Sequence, residues 1–422
     1  MPRWNPVRVV SSLFPAEPGP MRSYAVANLI TTFGSGLLLG SLPLYFTRIV
    51  HLSAAQVGLG LTIAATITLL TGALVGELAD RRGPLDVVKT LLLIDAAAVL
   101  AFLFIGNFIS FLVAATVHMV ASGAVSTAEG ALMRRVAGDD ASSYRSSIHA
   151  ITNLGLSFGL IPGGIAIQLG TVTAFHALIL LDVLTFVGAW AVLRGLPSYE
   201  PLPKPAVGPR WVVLRDRPYI TFAVLAAAIH PQFSVLTLLL PLWVVEKTNA
   251  PHWSIPLSLV INTIMIILLQ VRLGGPVQTL RQGGFAWRRA GVFFLLSCSV
   301  LGLATGLPCW AALILVVAAV ALHTFGEIMH TSGGFALGFG LPPAHAQGQY
   351  DGVGGIIGGM GTVAAPALLL GGAMTLGLPG MLGLGLFFVL PSLLMPAVAR
   401  WGERTRPAAA ELIAPKTADA VT

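Results

Sequence analysis

The chain has 422 residues, of which 55% are hydrophobic and only 10% charged, against about 25% charged in soluble domains. With a mean hydropathy of +0.85, it cannot cover a soluble surface of this size, which excludes disulfide scaffolds, disordered chains and nucleic-acid-binding domains. A polytopic membrane protein remains, with lipid as its outer solvent.

A membrane-crossing helix needs about 20 mostly apolar residues. Residues 1–21 are proline-rich, carry Arg3 and Arg8, and lack a small-residue cleavage site after a short apolar stretch. They read as a tail, not a signal peptide. Six apolar runs follow, at 22–50, 53–79, 86–106, 108–133, 144–169 and 171–193. Residues 194–217, RGLPSYEPLPKPAVGPRWVVLRDR, are rich in proline and base and read as a linker. Six more runs lie at 218–247, 253–274, 285–305, 308–333, 350–376 and 379–401, and residues 402–422 form a second tail. The predicted fold is all-α: twelve transmembrane helices in two six-helix bundles, 22–193 and 218–401. Cys298 and Cys309 show no metal spacing and read as small core residues.

All 24 lysines and arginines except Arg48 and Lys247 fall on one set of alternate loops and tails. By the positive-inside rule that side is cytoplasmic, and an even number of spans puts both termini there. The net charge of +7 is therefore a topology signal, and no nucleic-acid partner is expected. The arginine-, alanine- and glycine-rich composition hints at a GC-rich bacterial genome, and a bacterial inner membrane is the expected location. Trp190, Trp243, Trp253, Trp287, Trp310 and Trp401, with Tyr24, Tyr45, Tyr144, Tyr219 and Tyr350, fall near span ends and read as an interfacial belt.

The halves show weak internal symmetry. Glu129 in span 4 and Glu327 in span 10 lie at nearly the same depth. Span 5 carries Gly155, Gly159, Pro162, Gly163 and Gly164; span 11 carries Gly361, Ala365, Pro366, Gly371 and Gly372. Such repeats are the usual basis of alternating access.

Between spans 2 and 3 lies GELADRRGP, residues 76–84. Gly76 forms a small-xxx-small pair with Gly72, which admits a close helix. Asp80 sits at the span's end beside arginines, where a carboxylate can cap the positive N-terminus of a neighbouring helix. The segment resembles the loop signature of the major facilitator superfamily in Gly76, Leu78, Ala79, Asp80, Arg81 and Gly83, and departs from it at Pro84. The resemblance implies that the capped helix is span 11, starting near residue 350. It also implies that a motif arginine such as Arg81 pairs with Asp139 or Asp140 after span 4, with Arg145 as the following base. Together these would latch the cytoplasmic side shut. In span 5, GLSFGLIPGG (155–164) is similar to the glycine motif of drug–proton antiporters, with its proline displaced to Pro162; ordinary close packing is the alternative. GEIMHTSG and QGQYDG resemble bacterial multidrug-efflux members in Gly326, Glu327, Gly348 and Tyr350, with Gln347 where arginine is common.

Four acids lie within spans: Asp95, Glu129, Asp182 and Glu327. Each costs roughly 2.5–3.5 kcal/mol on insertion scales and needs a reason. The resemblance implies that spans 1, 4, 7 and 10 line the cavity while 3, 6, 9 and 12 are scaffold. Asp95 and Asp182 then read as buried hydrogen bonds locking the bundle. Glu129 and Glu327, with His118 and His323 on the same two helices, are the candidate proton carriers. The alternative for Glu129 is a salt bridge to Arg134 or Arg135; for the histidines it is a buried structural donor. His230 precedes Pro231, which should break span 7 and mark a hinge or binding point. Asn28, Asn153, His230, Gln232, Asn262, Phe233 and Phe325 are candidate cavity residues. A largely apolar cavity without a membrane-embedded arginine suits hydrophobic molecules, cations among them, better than organic anions.

No catalytic constellation, P-loop, cofactor motif or metal-ligand spacing occurs. The expected protein is a monomeric secondary transporter working with a small-molecule substrate, protons and the lipid bilayer. Proton-coupled efflux of small hydrophobic compounds by a rocker-switch is expected. Proton-coupled uptake of a neutral metabolite or sugar, and a non-transporting receptor, are the alternatives.

Overall fold

The computed structural model describes residues 13–39, 41–199 and 211–406. Arg3, Arg8, Lys204, Arg210, Lys416 and much of the expected tails and linker lie outside the described residues. Among the described residues the elements are all helical.

Among the described residues ten stretches are long and apolar enough to cross a membrane, or eleven if the bent pair Pro20–Leu39 and Leu42–Ile49 is one span. One of them, Phe108–Leu169, has 62 residues, about three times what a bilayer needs. It divides at Gly138, whose φ is 55°. The chain thus forms α1 (Pro20–Leu39 with Leu42–Ile49), α2 (Ala54–Arg82), α3 (Pro84–Ala101), α4 (Phe108–Ala137), α5 (Ala141–Leu169) and α6 (Val172–Leu193). The second half forms α7 (Arg217–Lys247), α8 (Ser254–Gly274), α9 (Leu280–Leu303), α10 (Cys309–Gly340), α11 (Gln347–Pro366, prolonged by Ala367–Met374) and α12 (Leu378–Thr405).

Local chemistry sets these boundaries. Ser53 and Gln56 cap α2 reciprocally, as Thr279 and Gln282 cap α9. Between α2 and α3 the chain turns on one residue: Gly83 takes φ 91° and Pro84 opens the next helix. α7 is broken where expected. Its regular helix stops at Ile229, His230–Ser234 winds tighter, and Val235–Leu239 winds wider. Pro231 supplies no N–H to an α-helical ladder.

Two hydrophobic cores form, one from α1–α6 and one from α7–α12. The repeat is visible in the packing: α3 lies on α4 and α6, and α9 lies on α10 and α12. The halves meet through α2 against α11 and α5 against α8 and α10. Leu70, Leu184 and Leu390 stay exposed, as lipid-facing side chains do. The aromatic belt needs correction. Trp253, Trp310 and Trp401 are exposed, but Trp243, Trp287, Tyr24, Tyr45, Tyr144, Tyr219 and Tyr350 are buried. Trp243 Nε1 donates to the Leu301 carbonyl at 3.1 Å and anchors the second core. Of the two cysteines only Cys298 is buried; Cys309 is exposed at the start of α10.

Candidate functional site

On the basic face the halves are joined at the α2–α11 crossing. Gly76 lies so close to α11 that an added Cβ would strike the Gly348 carbonyl, and one on Gly348 would strike Gly76. One turn on, Gly352 sits on the backbone of Ala73. Backbones this close bring the Asp80 carboxylate to the first turn of α11. Its two oxygens accept the N–H groups of Gly348 and Gln349, each at 3.0 Å. These are donors that a helix start leaves unpaired, and the negative charge suits the positive helix end. Asp80 is 8% exposed.

The other half of the expected latch is arranged differently. Arg81 pairs with Glu77 on its own helix at 2.6 Å and is not joined to Asp139. Asp139 and Asp140 are exposed on the short turn after α4. Arg81 stands on the last turn of α2, within one helical turn of Glu77, so the local acid wins. Arg145 also leaves Asp139: it turns inward, over the Phe335 ring at 5.6 Å, and acts on Glu129 and Asp351.

A second inter-bundle clasp was not foreseen. Arg134 Nη1, at the end of α4, donates to the carbonyls of Phe339 and Pro342 at 2.8 and 3.0 Å and to Gln347 Oε1 at 2.7 Å. Gln347 Nε2 donates onward to the Gly338 carbonyl and to Asp351 Oδ1 at 2.9 Å. The other Asp351 oxygen lies against the bare backbone of Gly130 on α4. Ser142 Oγ closes a further contact by donating to the Val277 carbonyl at 2.9 Å. The sequence signal was Gln347 itself, a neutral donor and acceptor where the resemblance leads one to expect arginine. At the start of α7, Asp216 accepts from the Tyr350 hydroxyl at 2.7 Å and pairs with Arg406 at 2.5 Å.

Behind this gate lies a cavity of about 490 Å³ between the halves, running along α11 from Gln347 to Thr362. Ser126, Thr127 and Gly130 of α4, Phe222 and His230 of α7, and Phe335 and Phe339 of α10 line it. Arg145 and Asp351 line its gate end. An arginine therefore does face the cavity, contrary to expectation, because Arg145 is turned inward by the α5 helix face it occupies.

Of the predicted cavity residues His230 lines this space, and the Phe233 ring lies 5.2 Å from the His230 ring. The others face elsewhere. Asn28 is buried between α1 and α5, its Oδ1 accepting from Thr152 at 3.0 Å. Asn153 donates to the His149 carbonyl on its own helix. Gln232 is fully buried with both side-chain polar atoms unpartnered. Phe325 stacks on Phe293 of α9, 5.7 Å away. Asn262 reaches α10, where its Nδ2 donates to Thr324 Oγ1 at 3.1 Å and to Glu327 Oε2 at 2.8 Å.

The two glutamates have different surroundings. Glu327 has Asn262 as its partner, and no lysine or arginine pairs with it among the described residues. Glu129 faces Tyr24 and Arg145, so the cation beside it is neither Arg134 nor Arg135. His323 precedes Glu327 by one turn but does not reach it; the ring meets the Gln232 backbone, and its Nδ1 has no partner. His118 Nδ1 lies 2.6 Å from Asp95 Oδ1. In α5, Gly155, Gly159 and Gly163 recur every four residues and meet the backbone of α1 without room for a Cβ. Gly164 faces open space, and Pro162 lies within the helix.

Two six-helix halves, packed through paired helices and clasped across one face of a central cavity, define a membrane carrier. The chain matches the Major Facilitator Superfamily over residues 24–366 and belongs to that family of transporters. No curated protein matches it. Among solved structures its fold is similar to a bacterial homologue of the iron transporter ferroportin in an outward-facing state, with 15% identity, 91% of this chain and 99% of that one covered, and a TM-score of 0.73. It is also similar to the human organic anion transporter MFSD10 (15% identity, 93% and 100% covered, TM-score 0.65). A third is the E. coli fucose:proton symporter FucP (13%, 91% and 98%, TM-score 0.68). At these identities the likeness is one of fold.

Proposed function

We propose that this transporter exports small, mostly apolar compounds in exchange for protons, by alternating access across a bacterial inner membrane. The observation that carries the proton coupling is Glu327. A carboxyl on a cavity helix with only an amide beside it is uncharged only when it holds a proton. An energetic reason to take up a proton on one side and release it on the other is then built into the α8–α10 contact. Glu129 has Arg145 beside it and acts in the gate rather than as the carrier. The phenyl rings and glycines around the cavity support an apolar substrate.

With the basic face cytoplasmic, the clasped state is the outward-facing one. Opening inward requires the Asp80 and Arg134 contacts to break while the opposite ends of the halves close. The glycine seam between α5 and α1 lets these two helices move as one block. Uptake of a polar metabolite with its proton is the second reading, favoured by the polar side chains of Arg145 and Asp351 lining the cavity's gate end.

Purified protein in liposomes containing a pH dye tests both. A lipophilic cation added without a gradient should move against the proton flux. Movement of proton and substrate in the same direction replaces export with uptake.

A further inference from the structure

The first bundle holds a second ionisable cluster within its spans, away from Glu327. Asp95 of α3, His118 of α4 and Asp182 of α6 meet inside it. His118 Nδ1 lies 2.6 Å from Asp95 Oδ1. Asp182 Oδ1 accepts from Thr185 Oγ1 at 3.1 Å. Gly34 of α1 leaves no room for a Cβ against Asp182 and Thr185, so the carboxyl touches a third helix packed on α6. The Phe102 ring closes one side, 5.7 Å from the imidazole. His118 interacts with both carboxyls, Asp95 also acts on Asp182, and no other titratable group acts on the three among the described residues.

The charges do not cancel. Two carboxyls and one imidazole carry a net charge of −1 when one proton is bound, and zero when two are. In hydrocarbon the uncompensated charge is costly, and no lysine or arginine supplies the missing cation. The neutral form places an imidazolium against the Asp95 carboxylate and the second proton on Asp182. Access is unequal. Asp95 and Asp182 are each 1% exposed, whereas the His118 side chain keeps 23% of its surface open.

We propose that Asp95, His118 and Asp182 form a second proton-binding site, which takes up and releases one proton, with His118 as its least buried member. Binding moves the cluster from −1 to zero; release returns that proton to water and leaves the charge against α1 and α4. Its place in transport rests on the proton-coupled function proposed above, but the binding of the proton does not.

Infrared difference spectra of the purified full chain between acid and alkaline pH test the binding directly. The wild type should show a carboxylic-acid C=O component that Asp182→Asn removes, with about one proton fewer released per protein. Asp182→Glu should restore a component at a shifted frequency, and Glu327→Gln should leave the Asp182 component in place. Identical spectra for wild type, Asp182→Asn and Asp95→Asn would overturn the site. If Asp182→Asn does not elute as a single species, Asp95→Asn decides: stripping the imidazole of its counter-ion must move the component's midpoint, and an unmoved midpoint overturns it. Failure of proton-coupled transport would show differently, as absent proton flux in wild-type liposomes while the infrared component persists.

Discussion

Replacing Asp80 by asparagine should shift the gate toward its open state. In the closed state both carboxylate oxygens are used, one on each of two N–H groups at 3.0 Å. Asparagine keeps one acceptor oxygen, so one bond survives while the other and the charge at the helix end are lost. A charge-assisted hydrogen bond nets about 1.5–3 kcal/mol, and a charge at a partly buried helix end is worth up to about 2 kcal/mol. The same charge underlies both figures, so they are not summed. A loss of about 2 kcal/mol moves the closed-to-open ratio roughly 30-fold. Spin labels on the exposed positions Arg82 and Ala344, with Cys309→Ser as background, report the distance across the gate. The variant should gain a long-distance population and cycle more slowly, with its melting temperature little changed. A distance distribution and turnover equal to the parent's would refute the gate.

Other variants probe separate parts of the structure. Arg134→Ala removes three inter-bundle hydrogen bonds and should widen the same distance distribution, without acting on the far face. Gly159→Leu, which sets a side chain against the Phe33 carbonyl, should lower the melting temperature or prevent assembly, while Gly164→Ala, facing open space, should melt like the parent. Trp243→Phe removes the bond to Leu301 and should cost about 1 kcal/mol, read as about one degree in a thermal melt of a chain this long with transport intact.

Much of the architecture was legible because it depends on properties local to the chain. Apolar length marks the spans, Pro231 marks the break in α7, and Asp80 is placed by a short turn next to glycine-permitted backbone contact. What was not legible is rotation about the helix axis. A span bounded by lipid on one side and protein on the other is apolar all round, so its hydrophobic pattern barely says which face turns inward. That is why Phe325 was expected in the cavity and lies on α9, and why Arg145 was expected at the loop and lines the cavity. The buried tyrosines and tryptophans near span ends were misread for the same reason. Partners far apart in sequence were equally hidden: Arg134 with Gln347, and Asp95 with His118. Both pairs needed the packed bundles to bring them together.

The most direct test of proton coupling is transport by Glu327→Gln in liposomes under an imposed proton gradient. The amide keeps the shape and the contact with Asn262 but cannot carry a proton. The variant should lose gradient-driven accumulation while still exchanging labelled for unlabelled substrate at a near-normal rate. Accumulation equal to that of the wild type would mean that Glu327 does not carry the coupled proton.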